Sequence, residues 1–309
     1  MRMLKLHQNV VLAGMLMLAA CDGPSGSGNE SANDVVASPS TGTAKVSAYT
    51  EAYNALLDTY GLPETVKDYK DANIAHRSPG DDISISQGWI ENARGKLKAA
   101  RALSGNLGAV DTAAAKLDDA LGKVLARLEP LYAYYNTKRY RQDGLARGKR
   151  EDAQMAAEFD AAIMAMNDFN SALQRQRHVD GEKELAALKQ SGNTLGYTNT
   201  LAMQQAEDLV DLFSEPASLR DPAVQAKADL LADSIEKLLS EQQKSIAAAR
   251  PKATEPIEKS RIGMYGVVND LLGSMIGQYR QMRQSHNARD LQSMVDAYNR
   301  AVSSANNIP

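Results

Sequence analysis

The 309-residue chain has a single cysteine, Cys21, one tryptophan and only three phenylalanines. One thiol cannot form an intrachain disulfide, so no cross-link staples the fold. Alternating Val/Ile/Thr runs are scarce, which argues against a sheet-based architecture. There is no GxSxG, no HExxH and no SxxK with its supporting motifs, which leaves the common hydrolase signatures without a match. The longest apolar run, Val10 to Ala20, is about half the ~20 residues that a spanning helix needs.

That run has a revealing context. Arg2 and Lys5 precede it, no acid occurs before Asp22, and the small, polar stretch "DGPSGSGNES" follows. Positive head, apolar middle and small polar exit form the layout of a secretory signal over residues 1–20. Leu18-Ala19-Ala20-Cys21 resembles the bacterial lipobox. That resemblance implies a thioether-linked diacylglycerol and an N-acyl chain on Cys21, and no other cofactor is expected. Several acyl chains, at about 0.8 kcal/mol per buried CH₂, hold a protein on a membrane. Asp22 resembles the residue that retains enteric lipoproteins in the inner membrane, so the expected location is the cell envelope, facing the periplasm, with a lean to the inner membrane.

Removing residues 1–20 leaves 33 basic against 38 acidic residues, a formal charge of −5. A mildly acidic chain is a poor bulk partner for nucleic acid. Residues 21–44 lack any apolar period and read as a flexible tether with a reach of roughly 25–30 Å. The remaining stretch, 45–309, is long enough for a sizeable core.

Helical periodicity runs through that stretch. Val46, Tyr49, Tyr53, Leu56 and Tyr60 step by three and four, and Gly61 and Pro63 end the segment. "ISQGWIENARGKLKAARAL" places Ile85, Trp89, Leu97 and Leu103 on a basic helix. Leu117 to Tyr135 form the stripe of a long helix in which Pro130 predicts a kink. Met155 to Leu173 mark a second long helix over 150–190, with a bend expected at Gly181. Further helices are expected at 195–213, from Pro222 behind an Asp221 cap, at 257–285 and at 288–304. Seven or eight helices with short connections predict an all-α, antiparallel bundle of long helices, with two sub-bundles as one arrangement.

Chemistry-bearing constellations are sparse. His178 and Glu182 have i,i+4 spacing, but a metal site needs three or four ligands and no second pair accompanies them. The pairs Asp118-Asp119 and Glu207-Asp208 are read as exposed helix acids whose neighbours point apart. Gly266, Gly273 and Gly277 lie near one helix face and are read as points where a neighbouring helix approaches closely. The segment "YAYYNTKRYRQDGLARGKR" interleaves tyrosines with cations. Tyr135, Lys138, Arg139, Tyr140, Arg141 and Arg147 make it the candidate surface for an anionic partner, an envelope protein or peptidoglycan. The competing reading is a bundle corner with tyrosines inside and solvated cations outside.

"EAYNALL" and "LEPLYAYYNTKRYRQDGLARGK" resemble the YiiG-like bacterial lipoproteins, a family built on a domain of unknown function. The matching positions are Tyr53-Asn54, Leu128, Tyr135, Tyr140, Asp143 and Gly148-Lys149. The resemblance implies a helical, envelope-anchored domain over 45–309 and supplies no established reaction. The expectation is a lipid-anchored binding or scaffolding protein rather than an enzyme. The alternative is a periplasmic small-molecule or metal-binding protein.

Overall fold

Helix starts in this chain are written by local chemistry. Asp221 accepts hydrogen bonds from the backbone N–H groups of Ala223 (2.8 Å) and Val224 (3.3 Å), and Pro222 occupies the first helical position. Asn193 caps its helix through Gly196 N–H, and Asn287 does so through Arg289 N–H. Each satisfies a donor that the first turn would otherwise leave open. His286 and Asn73 close helices in the left-handed conformation.

The computed structural model describes residues 41–213 and 216–309. Among them are nine α-helices and no strand: α1 (Thr41–Leu57), α2 (Leu62–Ala72), α3 (Ile90–Ala102), α4 (Ala109–Asn136), α5 (Ala146–Gln190), α6 (Thr194–Asp211), α7 (Pro222–Ala249), α8 (Pro256–Ser285) and α9 (Ala288–Ala305). The all-α expectation holds, with one or two more helices than the periodicity predicts. Cys21 and the signal lie outside the described residues. The expected tether shortens, because residues 41–44 already belong to α1.

The chain divides into two compact units, Lys45–Val179 and Asp180–Pro309. In the first, Tyr49 and Tyr53 of α1 pack on Phe169 of α5, and Tyr69 of α2 packs on Phe159. The helices α3 and α4 are joined by Asp118, which accepts from Arg94 and Arg101. Asp118 is therefore a buried junction and Asp119 alone is the exposed acid. In the second unit, α7 and α8 run antiparallel, tied by Tyr279 to Asp229 and by Arg280 to Glu236. The hairpin of α8 and α9 turns on two residues and buries Leu291, Met294, Tyr298 and Val302.

Several boundaries differ from the pattern. The first helix ends at Leu57, and Pro63 sits in the first turn of α2 rather than ending α1. Tyr60 falls in the intervening turn and Trp89 precedes α3. Both are exposed, and their ring centroids are 5.0 Å apart. The helix α4 continues through Pro130. The helix α5 continues through Gly181, where a Cβ would meet the Gln204 side chain at 2.2 Å. The side chain of Gln204 in α6 thus occupies the space that a Cβ would need. At Gly273 and Gly277 the reverse holds: among the described residues nothing lies within 4 Å of a Cβ, so none of the described helices packs closely there.

Candidate functional site

The link between α4 and α5 is the tyrosine-rich, basic corner. Thr137 N–H closes α4 on the Ala133 carbonyl, and Lys138 takes the left-handed conformation (φ 56°). A 3₁₀ turn, Arg139–Arg141, follows. Gly144 and Leu145 are both left-handed, a rare state for leucine. Leu145 is held there by burial and by its N–H, which donates to the Tyr140 carbonyl at 2.7 Å and to Asp143 Oδ1 at 3.0 Å.

Asp143 organises the turn. Its carboxylate also accepts from the Tyr134 hydroxyl (2.8 Å) and the Arg147 N–H (3.2 Å). Desolvation pulls this carboxyl upward, but the bonds from Tyr134, Arg147 and Leu145 outweigh it and hold it below the usual range. Burial, and then the bond to Asp143, pushes the Tyr134 phenol up to about 12.

Three tyrosines form the base of the corner. Tyr134, Tyr135 and Tyr140 lie with centroids 5.0 to 6.3 Å apart. Tyr140 is fully buried, and its hydroxyl donates to the Asp81 carbonyl (3.1 Å) while accepting from Ile83 N–H (3.3 Å). Tyr135 is 1 % exposed, and its hydroxyl has no hydrogen-bond partner among the described residues. Burial drives its phenol well above the ordinary value.

This placement corrects the candidate surface. Tyr135 and Tyr140 point into the core and cannot meet a partner, because ring burial and the Tyr140 bonds to the 81–83 loop are what fold the corner. The cations divide. Arg147 bonds Glu151 (2.9 Å) and lies over the Tyr134 ring (5.5 Å), a structural position. Lys138 and Arg141 both reach Asp82, at 2.9 and 3.6 Å, and the hydrogen bond and charge of Lys138 hold Asp82 low. Arg141 also stands over the Tyr140 ring at 5.9 Å. Arg139 is exposed, as are Lys149 and Arg150 one turn into α5.

Beneath the corner, Arg127 of α4 grips Glu158 of α5 through two bonds of 2.9 Å and approaches Glu151 at 3.7 Å. The sequence carries no local signal for this network, since its members are about thirty residues apart. Gly148 was legible as a position but not as a reason: a Cβ there would come within 2.5 Å of the Tyr135 hydroxyl. His178 and Glu182 gain no metal-site companions. Among the described residues no three His, Cys, Asp or Glu side chains are grouped to hold an ion. No described helix is long and apolar enough to cross a membrane.

Fold and corner together define an all-helical domain built on long amphipathic helices. A family model described as a protein of unknown function (DUF3829) matches residues 40–307, and the chain belongs to that family. No curated protein and no solved structure matches the chain.

Proposed function

We propose that this chain is a lipid-anchored, periplasm-facing binding or scaffolding protein of the bacterial cell envelope. The order of charge, apolar run and small residues around Cys21 supports the anchor. The finer resemblance to the YiiG-like lipoproteins fits the same reading. The observation that carries the binding role is the cationic rim of the α4–α5 corner. Lys138, Arg139, Arg141, Lys149 and Arg150 are all exposed there, above a tyrosine base that holds the turn in one shape. Exposed cations on a turn whose backbone is held suit an anionic partner, an acidic envelope protein or the carboxylates of peptidoglycan, because the backbone loses little ordering entropy on contact.

Two experiments test the reading. Palmitate labelling in a bacterial host should mark the full chain and vanish with Cys21→Ser; labelling that persists removes the anchor. Charge reversal of Arg139, Lys149 and Arg150 should reduce crosslinked partner or sedimented peptidoglycan without changing the melting temperature. Unchanged recovery removes the corner as the contact surface. Arg147 is left intact, since its bonds are structural.

A further inference from the structure

An open cleft of about 410 Å³ lies between α7 and α8. That is within the span of small-molecule sites, roughly 300–1,000 Å³. Ile246 and Val267 supply apolar wall; Gln243, Arg250, Asn269 and Asp270 supply polar groups. Asn269 is 3 % exposed and fixed, donating to the Leu239 carbonyl at 2.9 Å and to Gln242 Oε1 at 3.1 Å. Arg250 and Asp270 differ from it. Among the described residues neither side chain makes a hydrogen bond or ion pair, whereas Arg280 and Arg283 of the same helix pair each hold an acid of α7.

Two glycines complete the lining, Gly263 and Gly266. Nothing lies within 4 Å of a Cβ built at Gly263, and only the tip of Arg250, at 3.7 Å, meets one at Gly266. What the missing side chains leave open is the cleft itself.

The two unpaired charges are exposed and both line the cleft. The Arg250 guanidinium reaches Gly266, and Asp270 stands four residues on, about 6 Å along the axis at 1.5 Å per residue. A ligand between them needs a negative group for Arg250 and a positive group for Asp270, close together. The carboxylate and ammonium of an α-amino acid are about 2.5 Å apart across the Cα. Such a head group offers an acceptor to Arg250 and a donor to Asp270 from one carbon, through charge-assisted hydrogen bonds. One charge of each sign also disfavours polyanions and polycations.

We propose that this cleft binds the zwitterionic head of a small α-amino acid. Arg250 takes the carboxylate, Asp270 takes the ammonium, and the ligand's side chain lies against Ile246 and Val267. The site is separate from the basic corner and stands or falls independently of it.

The test is calorimetric titration of the detergent-solubilised full chain with each proteinogenic amino acid in turn, then with the N-acetyl and carboxamide forms of the best binder. The expected result is saturable binding of at least one amino acid, weakened at least tenfold when either charge is blocked. Arg250→Gln and Asp270→Asn should each weaken it to a similar extent. Gly263→Leu with Gly266→Leu should abolish it while leaving the melting temperature unchanged or higher, because both side chains enter free space. If the filled variant does not fold, the two charge variants, which alter exposed groups, decide the matter alone. No saturable binding, equal binding of the N-acetyl or carboxamide form, or full binding by the filled or charge variants would overturn the proposal.

Discussion

The Tyr135 hydroxyl rests against Gly148, so close that a single added methyl would sit 2.5 Å from its oxygen. Two consequences follow from this contact. Gly148→Ala forces the ring or the helix to move, and overpacking of this kind costs about 1–3 kcal/mol. Tyr135→Phe removes a buried hydroxyl with no partner among the described residues. It should therefore be neutral or stabilising by up to about 1 kcal/mol, since only an unsatisfied group is lost. In the double variant the shorter ring tip makes room for the methyl. Urea unfolding of the four proteins should show that Gly148→Ala costs clearly less in the Tyr135→Phe background than in the parent. Additive costs would show that the contact does not limit the corner.

Adjacent acids on α4 should behave unequally. Asp118 accepts from Arg94 at 2.7 Å and from Arg101, joining α3 to α4 with little exposure. Asp119 faces water and pairs with Lys123 one turn away. Asp118→Asn weakens two charge-assisted bonds and leaves two guanidinium groups without their counter-ion, at a cost of about 2–3 kcal/mol. Asp119→Asn should change stability by less than about 0.5 kcal/mol. Matched denaturant curves distinguish them, and equal losses would mean the α3–α4 junction does not depend on Asp118.

The contrast between these neighbours shows what a sequence can and cannot reveal. Periodicity locates α4 because its apolar residues repeat along one element, and a helix needs no distant information to display that repeat. Whether an acid beside that stripe is solvated or bonded depends on Arg94 and Arg101 in another helix. The tyrosine corner divides in the same way. Its composition is plain in residues 132–150, yet the burial of Tyr140 rests on the 81–83 loop some sixty residues away. Trp89 sits on the apolar stripe by spacing, but α3 starts only at Ile90, so the ring is left in the turn. The cleft is still less visible. Gly266 reads from its spacing as a point of close helix contact, and only the structure shows that nothing but the Arg250 tip comes near it.

Acidity should act through Glu184 in the α5 segment of the second unit. Burial raises this carboxyl to about 7, with Tyr265 of α8 as a titratable neighbour. The unfolded chain releases the same proton near the ordinary glutamate value of about 4.3. Between these values the folded state holds more protons than the unfolded one, so stability falls as pH rises. The contribution is fully present below about 4.3 and lost above about 7, and its size is at most about 3–4 kcal/mol, reduced by solvent screening of the partly exposed carboxyl. Glu184→Gln keeps the shape and removes the titration. It should be more stable than the parent at pH 8 and show a flatter stability profile from pH 5 to 7. Parallel profiles for the two proteins would mean that Glu184 stays ionised in the fold.

A line of buried amides crosses three helices of the second unit. Gln242 of α7 donates to Asn199 of α6 at 3.3 Å and accepts from Asn269 of α8 at 3.1 Å. Both Gln242 and Asn199 are fully buried, and the Asn199 amide nitrogen already lacks a partner among the described residues. Gln242 is thus the shared member, and removing it orphans the Asn199 side-chain oxygen and leaves Asn269 only its bond to the Leu239 carbonyl. Gln242→Met, similar in volume, should cost about 1–3 kcal/mol because the buried Asn199 oxygen is left unmet and Asn269 loses one of its two bonds. Replacing Asn199 and Asn269 with leucine as well removes the orphans, and stability should return toward the parent value. Should the triple variant instead be the least stable of the set, the amides would contribute through their own bonds rather than through the penalty of leaving them unmet.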